Sequence, residues 1–470
     1  YNIYLYHHPM PLPQSFIDQM QQTLGTAEAE ALCHALQSTD PCTSIRINPN
    51  KRPEHLPAEV KAEVPWCGEG RYLAERPMFT TDPLLHAGCY YVQEASSMFI
   101  EQAYRKIAED FIPQRLLDLC AAPGGKSTLW RSLLPDGALL VANEPIRQRA
   151  QILAENLTKW GQPDVVCTSA YAADFTPLSG FFDVVAADVP CSGEGMFRKD
   201  EGAVEEWSRE AVVACADRQW GIVSDIWPTL REGGYLVYST CTFNQDENEH
   251  MVQRICSELG GEVVEIDTPE AWNIAGDTTN SNMPVCHFFP HRIQGEGLFL
   301  ALIRKTAEAP SMRRKKGKKG SKSVQRQQSV QNGAKVAPWL RHSADFKILR
   351  PDDEHLMAVR ESLAEDVQLV CQTVRALTAG ILLAEERGKK IIPQHALALS
   401  VALEDEAFPH VELEREQALC YLRREAITLG NDAPRGYVVA TFDGHPLGFL
   451  NNLGSRANNL YPQEWRIRNV

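Results

Sequence analysis

No apolar run in this chain reaches the roughly 18–20 residues that a helical membrane span needs, which excludes that class of membrane protein. The opening residues, YNIYLYHHPMPLP, hold neither the basic stretch nor the apolar core of a secretory signal. Met10-Pro11-Leu12 reads as a natural start, with residues 1–9 as an upstream extension. A disulfide framework is also missing: the 13 cysteines are odd in number and scattered over 470 residues, as expected of reduced thiols in a cytoplasmic protein. No internal repeat is apparent. What remains is an ordinary globular composition, 44% hydrophobic and 23% charged. A chain this long is expected to hold two to four domains of about 100–200 residues each.

Basic charge is scarce except in one place. The net charge is −14, which by itself argues against a nucleic-acid partner, yet residues 310–335 (PSMRRKKGKKGSKSVQRQQSVQNGAK) carry nine Lys/Arg and no acid. This stretch has few apolar residues and is rich in Gly, Ser and Gln, the composition of a disordered linker. It reads either as a solvated spacer or as a tether that engages a phosphate backbone by counterion release. We place a basic flexible linker at 306–335. It separates a catalytic-looking region at 111–305 from a C-terminal region at 336–470, and a smaller mixed region at 10–110 precedes them.

Within 115–305, short apolar strands alternate with amphipathic segments, the pattern of a mostly parallel α/β sheet. Strands are expected at 115–120, 138–143, 164–168, 182–188, 234–240 and 298–303, with helices over 147–160 and 208–230. Ligands of such folds sit at the carboxyl ends of the strands. The first strand runs into LLDLCAAPGGKSTLW (116–130), a glycine turn entering a helix. A P-loop would need a glycine at position 120, where Cys120 stands, and Pro123 removes a backbone donor. The second strand ends in Asn143-Glu144, where an acid can accept hydrogen bonds from ribose hydroxyls. A nucleoside cofactor without a triphosphate fits Glu144 better than ATP does.

Two cysteines lie at strand ends. FDVVAADVPCSGEGM (182–196) puts Asp188, Pro190 and Cys191 at the tip of the fourth strand, and GYLVYSTCTFNQDENE (234–249) puts Cys241 at the tip of the fifth. A parallel sheet turns both tips toward the glycine turn and one crevice. The other eleven thiols are Cys120 in the turn itself and Cys33, Cys42, Cys67, Cys89, Cys167, Cys215, Cys256, Cys286, Cys371 and Cys420, the last ten of which read as inert buried side chains. Zinc competes for the pair, but no C-x-x-C or histidine partner stands at ligand spacing.

These residues carry a resemblance. DLCAAPGGKST, the Asn143-Glu144 strand end, DVPCSGEGMFRKD (188–200), YSTCTFNQDENE and PHRIQGEGLFLALIRK (290–305) resemble the NOL1/NOP2/Sun group of S-adenosylmethionine-dependent RNA cytosine-C5 methyltransferases. HAGCYYVQEASSM (86–98) and SIRINPNK (44–51) extend it, and residues 436–462 resemble the PUA-like RNA-binding end of the bacterial RsmF-type 16S rRNA enzymes. The resemblance implies a Rossmann-like class I methyltransferase domain between an N-terminal accessory region and a PUA-like C-terminal region. It implies Cys241 as the nucleophile toward cytosine C6, Cys191 as the thiol associated with product release, and Asp188 and Lys126 as groups facing the base. It further implies S-adenosylmethionine held by Cys120, Ala121, Ala122, Pro123, Gly124, Gly125, Lys126, Glu144, Arg149 and Asp188. The partner would be 16S rRNA or the small ribosomal subunit, with tRNA as the alternative substrate, and a monomer without metal is expected.

One departure is visible. The family commonly has an Asp at the third strand's tip contacting adenine, whereas TSAYAADF (168–175) puts Tyr171 there, with Asp174 three residues on. Other classes remain open at this stage. A P-loop NTPase would leave Cys241 unexplained, a DNA cytosine-C5 methyltransferase would use Cys191 as its nucleophile, and a non-catalytic RNA-binding protein would have no need of the cysteine pair.

Overall fold

The computed structural model describes residues 11–307, 332–430 and 432–468. The proposed extension at 1–9 and the basic residues 308–331 lie outside them. The N-terminal region begins with a hairpin of helices, Gln14–Leu24 and Thr26–Ser38. A small antiparallel sheet follows, built from β1 (Ser44–Ile47), β2 (Val60–Glu63), β3 (Gly70–Leu73) and β4 (Tyr90–Val92) in the order β2-β3-β1-β4.

The central sheet is made of β5 (Arg115–Asp118), β6 (Leu139–Asn143), β7 (Val165–Thr168), β8 (Phe182–Asp188), β9 (Leu230–Thr240), β10 (Gly261–Val264), β11 (Cys286–Phe288) and β12 (Leu298–Lys305). Strands β5 to β9 are parallel, and β12 runs antiparallel to β9. Their near-continuous apolar runs are buried on both faces, as a parallel sheet covered by helices requires. The helix expected over 147–160 spans Arg147–Trp160. The one expected over 208–230 spans Arg209–Ile226, after which Pro228 tightens the chain into a short 3-10 turn.

After β5 the chain adds β6 and β7 on one side and then β8 and β9 on the other. The order reverses between β5 and β8, so their carboxyl ends diverge into a crevice. Register aligns the tips: Asp118 stands opposite Ala186, and Asp188 opposite Ser239.

The C-terminal region holds more structure than its β-like end suggested. Its strands β13 (Phe346–Leu349), β14 (His355–Arg360), β15 (Ala376–Ala379), β16 (Ile381–Arg387) and β17 (Lys390–Pro393) precede β18 (His410–Glu412), β19 (Gly436–Phe442), β20 (His445–Asn452) and β21 (Ala457–Asn459). Four of the first five form a sheet, but β15 leaves it and pairs antiparallel with β7, extending the central sheet to nine strands. Gly380 makes the switch from β15 to β16. Its φ is 60°, and a Cβ there would lie 2.2 Å from the Ala358 carbonyl oxygen, so only glycine fits. Strands β18–β21 form a fourth sheet whose core is shared with β1, β3 and β4.

Two expectations change. Residues 332–335 belong to the folded C-terminal region and not to the linker: Gly333–Val336 is a helical turn with Val336 buried, and Asn332 Nδ2 donates to Glu386 Oε1 at 2.5 Å. At the other end, the Thr306 and Ala307 amides both donate to the Gly260 carbonyl. Among the ten thiols read as buried, Cys371 is exposed on the outer side of the helix Ala364–Thr373, and Cys33, Cys42, Cys215, Cys256 and Cys420 are half-buried. The helices that carry Cys33, Cys215, Cys256, Cys371 and Cys420 leave part of one face in solvent, where a small side chain is tolerated, and Cys42 lies in the loop before β1.

The C-terminal addition is pinned to the central sheet by an ion pair. Arg360 Nε donates to Asp164 Oδ1 at 3.0 Å, with the Asp164 side chain only 2% exposed. Arg360→Leu leaves that carboxylate facing an apolar group. It should destabilise the protein by about 2 kcal/mol, below the value for a fully buried pair because Arg360 itself is partly exposed. Thermal unfolding checks this against Lys347→Gln, whose exposed 3.8 Å pair with Glu361 should make no measurable difference.

Candidate active site

The crevice at the β5–β8 reversal is a cleft of about 530 Å³, lined among others by Tyr91, Cys120, Ala121, Ala122, Pro123, Gly125, Lys126, Asp188, Met196, Lys199, Cys241 and Glu296. The turn after β5 keeps its backbone along the cleft floor and passes through a cis Ala122–Pro123 bond. Gly124, with φ 118°, looks away from the cleft toward Leu153 and Asn156.

Lys126, on the first turn of the helix Gly125–Leu133, reaches across to β8, where its Nζ donates to Asp188 Oδ2 at 2.9 Å. Ser239 Oγ donates to the other Asp188 oxygen at 2.8 Å, which fixes the carboxylate plane. Burial works to lower the Lys126 pKa, but Asp188 outweighs it and the value is raised, so the ammonium keeps its charge. Behind them, burial pushes the Asp118 carboxyl up to about 7, although Ser127 Oγ donates to it at 2.6 Å.

Cys191 and Cys241 meet at the tips of β8 and β9, their sulfurs 3.2 Å apart. The Cys241 sulfur and burial together hold the Cys191 pKa well above its ordinary value, so Cys191 is kept as a thiol within hydrogen-bond distance of Cys241. Cys120 is likewise held as a thiol by burial.

Glu144 does not line the cleft. It lies one residue past β6, 2% exposed, where its Oε1 accepts the Ile146 amide at 3.0 Å and its Oε2 lies 3.4 Å from Arg149 Nη1. Arg149 also donates to the Ala122 carbonyl at 3.2 Å, tying this corner to the glycine turn. At the tip of β7, Tyr171 is exposed and Asp174 accepts the Tyr171 amide, so Asp174 serves as a local cap.

Sequence reasoning missed the side chains that hold the two cysteine loops together. Glu194, fully buried, accepts the Phe243 amide at 2.7 Å, the Asn244 amide at 3.0 Å and the Thr242 hydroxyl through one oxygen. Its other oxygen accepts from Trp207 Nε1 and Asn244 Nδ2, both at 3.1 Å. Glu247, also buried, returns the link by accepting the Ser192 amide and the Gln219 and Asn244 side-chain amides. Gly195 closes the contact: its amide donates to the Cys241 carbonyl at 2.7 Å, and a Cβ there would lie 2.6 Å from that oxygen. Both acids stand inside the motifs quoted above, but their use shows only when the two loops are side by side. Arg46 was missed as well. It enters from β1, fully buried, and donates to Gln93 Oε1 and Thr128 Oγ1 at 2.8 and 2.6 Å, bracing the glycine turn.

Among the described residues, no group of three or more His, Cys, Asp or Glu side chains is placed to hold a metal ion. No described helix is long and apolar enough to cross a membrane.

Comparison with known proteins agrees with the domain layout. The family model for the 16S rRNA methyltransferase RsmB/F matches residues 109–304. Models for the N-terminal domain of 16S rRNA methyltransferase RsmF and for the methyltransferase RsmF PUA domain match residues 12–95 and 408–467. Ribosomal RNA small subunit methyltransferase F of Erwinia tasmaniensis is 30% identical over 473 residues, covering 96% of each chain. That of Escherichia coli (strain 55989 / EAEC) is 29% identical and covers 97% of each. Among solved structures, NSun6 from Pyrococcus horikoshii with SFG shares the fold at a TM-score of 0.51 and 18% identity, over 63% of this chain and 99% of that one. A methyltransferase homolog protein from Pyrococcus horikoshii does so at 0.52 and 23%, over 62% and 95%.

The buried Asp118 predicts a pH signature. Its folded pKa, about 7, lies above the ordinary carboxyl value near 3.9, so the fold favours the protonated form. That contribution is fully present below about pH 4 and is lost as pH rises through 7. The thermal midpoint of the wild type relative to Asp118→Asn should therefore fall steadily across that window. A constant difference between the two proteins would show that Asp118 stays ionised in the fold.

Proposed function

This chain belongs to the RsmB/F family of 16S rRNA methyltransferases, and from that premise we propose that its cleft methylates C5 of a cytosine in 16S rRNA through a covalent Cys241–C6 bond. The observation that carries this reading is the 3.2 Å approach of the Cys191 and Cys241 sulfurs beside the Lys126–Asp188 pair. Cytosine C5 is too poor a nucleophile to take a methyl group unaided. Addition of the Cys241 thiolate to C6 converts C5 into an enamine carbon that can. Asp188 is placed to accept hydrogen bonds from the exocyclic amine and from N3 as N3 takes a proton from water to neutralise the developing charge, and Lys126 keeps the carboxylate oriented. S-adenosylmethionine, when bound, supplies the methyl cation to C5.

Release is a β-elimination: water takes the C5 proton, the freed C–H electron pair restores the C5=C6 bond, and the C6–S pair returns to Cys241 as thiolate. Cys191, held protonated at hydrogen-bond distance, stabilises that leaving sulfur. The target base has to be unstacked or single-stranded, because C6 is covered in a helix. The PUA-like end and the small N-terminal sheet, joined in one core, supply the surface that holds the rest of the RNA.

The residues present suit the cofactor. The backbone of Cys120–Pro123 forms one wall of a cleft large enough for it; Glu144 stands just outside that lining, tied through Arg149 to the Ala122 carbonyl, and has lone pairs beyond its bonds to Ile146 and Arg149. Glu144 would hold the ribose hydroxyls, with Arg149 fixing its position. Glu144→Ala should weaken S-adenosylhomocysteine binding at least about tenfold, the loss of a charge-assisted hydrogen bond. Calorimetry showing unchanged affinity would remove Glu144 from the site.

The two thiols should fail differently. Cys241→Ala should abolish methylation and form no adduct, because the C6 bond never forms. Cys191→Ala should also lose turnover but accumulate protein attached to RNA through Cys241. Denaturing gels with labelled 16S rRNA read this directly, and the double mutant should show no shifted band. A shifted band from Cys241→Ala alone would make Cys191 the nucleophile.

A further inference from the structure

Beside the catalytic cleft lies a second cavity of about 210 Å³, lined by Leu85, Gly88, Tyr90, Tyr91, Val92, Asn156, Lys159 and Trp160. Nothing in the methyl-transfer chemistry uses it. Tyr91 and Val92 line both cavities, so a ligand can run from one to the other along β4. Its walls mix aromatic and polar groups. Trp160 forms a rigid back wall, because the Arg46 guanidinium stacks on its ring at 4.4 Å and its Nε1 donates to Ser132 Oγ at 3.0 Å. Asn156 Nδ2 donates to the Pro123 carbonyl at 2.8 Å and approaches the Tyr91 hydroxyl at 3.4 Å, so one side chain touches the glycine turn and the shared wall. Lys159 also lines it, its side chain 12% exposed and paired with Glu155 at 2.5 Å, its Nζ 5.5 Å from the ring centroid of Trp465 in the PUA-like end.

The path from the Cys241 cleft, past Tyr91, to Lys159 and Trp465 therefore joins the catalytic centre to the C-terminal RNA-binding end. Resting on the RNA reading above, we propose that the second cavity holds a nucleotide of the single strand flanking the target cytosine. Its base sits beside Tyr91 and the Asn156 amide, and its phosphate faces Lys159. Aromatic walls accept any base by its π-face, while the Lys159 ammonium, turning from Glu155, meets the backbone charge. The cavity thus measures the strand next to the target and admits substrates that have at least one unpaired neighbour.

Two variants test it without touching the catalytic groups. Leu85→Trp fills the cavity, and Lys159→Gln removes the ammonium. Binding of a fluorescent single-stranded RNA oligomer containing one cytosine is measured by anisotropy, with S-adenosylhomocysteine affinity measured in parallel by calorimetry. Both variants should bind the RNA at least about fivefold more weakly, the lower end of what a stacked base contributes, with cofactor affinity unchanged. Removing one nucleotide from one side of the cytosine should cost the wild type as much, and should cost Leu85→Trp nothing further. If both variants bind the full oligomer as the wild type does, or the truncation costs Leu85→Trp the same, the cavity holds no nucleotide. If cofactor affinity falls in step with RNA affinity, the cavity belongs to the cofactor. Failure of the wild type to bind the RNA at all would overturn the substrate reading itself and not only this one.

Discussion

The buried carboxylate of Glu194 is the joint on which the catalytic geometry depends. Two loops from different strands must hold their cysteines at sulfur-to-sulfur contact, with no more regular structure between them than the single 3-10 turn Glu194–Met196. Glu194 gathers the backbone amides of Phe243 and Asn244 into one oxygen and side-chain donors into the other, so the β8 loop carries the acceptor for the β9 loop. Buried as it is, the carboxylate is tolerable only because donors surround it, and the Phe243 and Asn244 backbone amides in turn find their acceptor in it. The helical hairpin at the N-terminus completes the enclosure: Phe16 packs edge-on against Phe197 and Trp207, and Gln19 reaches Glu194 at 3.4 Å. A site made of two loops is thus held as firmly as one built on a single strand.

The same dependence on distant segments recurs at the other edge of the crevice. Strand β7 would be an open edge if the methyltransferase sheet ended there, and β15 covers it from more than 200 residues downstream, with Gly380 permitting the turn back into a separate sheet. Through β15 the C-terminal part is therefore hydrogen-bonded into the catalytic sheet, while its other strands keep sheets of their own. Arg46 does from the N-terminal side what β15 does from the C-terminal side, joining β1 to the helix that follows the glycine turn.

What was legible in the sequence was what local pattern encodes. RLLD, LLVAN, VVCT and FDVVAAD are apolar runs of strand length, and a parallel sheet is their natural reading. Once the sheet is granted, topology alone brings Cys191, Cys241, Asp188 and Lys126 to one end. Partnerships between distant segments were not legible. The sequence around Ala376–Ala379 shows nothing that distinguishes a strand pairing with β7 from one within its own sheet. Glu194 and Glu247 look like surface acids in a small-residue loop until their donors are in place. Arg46 reads as an ordinary exposed arginine on a short strand. The basic composition of 310–335 masked the point where folding resumes, because Asn332 and Gly333 are as polar and small as the residues before them. Tyr171, in contrast, was visible as a departure, and Asp174 beside it proves to be a cap.

The sheet β1–β4 and the sheet β18–β21 share one apolar core, in which Ile45, Leu84 and Tyr90 pack with Tyr421, Leu447 and Leu450. A chain made from its N-terminus onward emerges with the first half of that core long before the second exists. Until β18–β21 have been made, the inner face of the first sheet has no mate and exposes its apolar side chains to water, where they are open to wrong partners. Strands made far later are thus the ones that seal the first sheet. Truncation anywhere after the catalytic sheet leaves a newly made polypeptide with a permanently unsealed front end, a natural substrate for chaperones and proteases before it is ever a candidate enzyme.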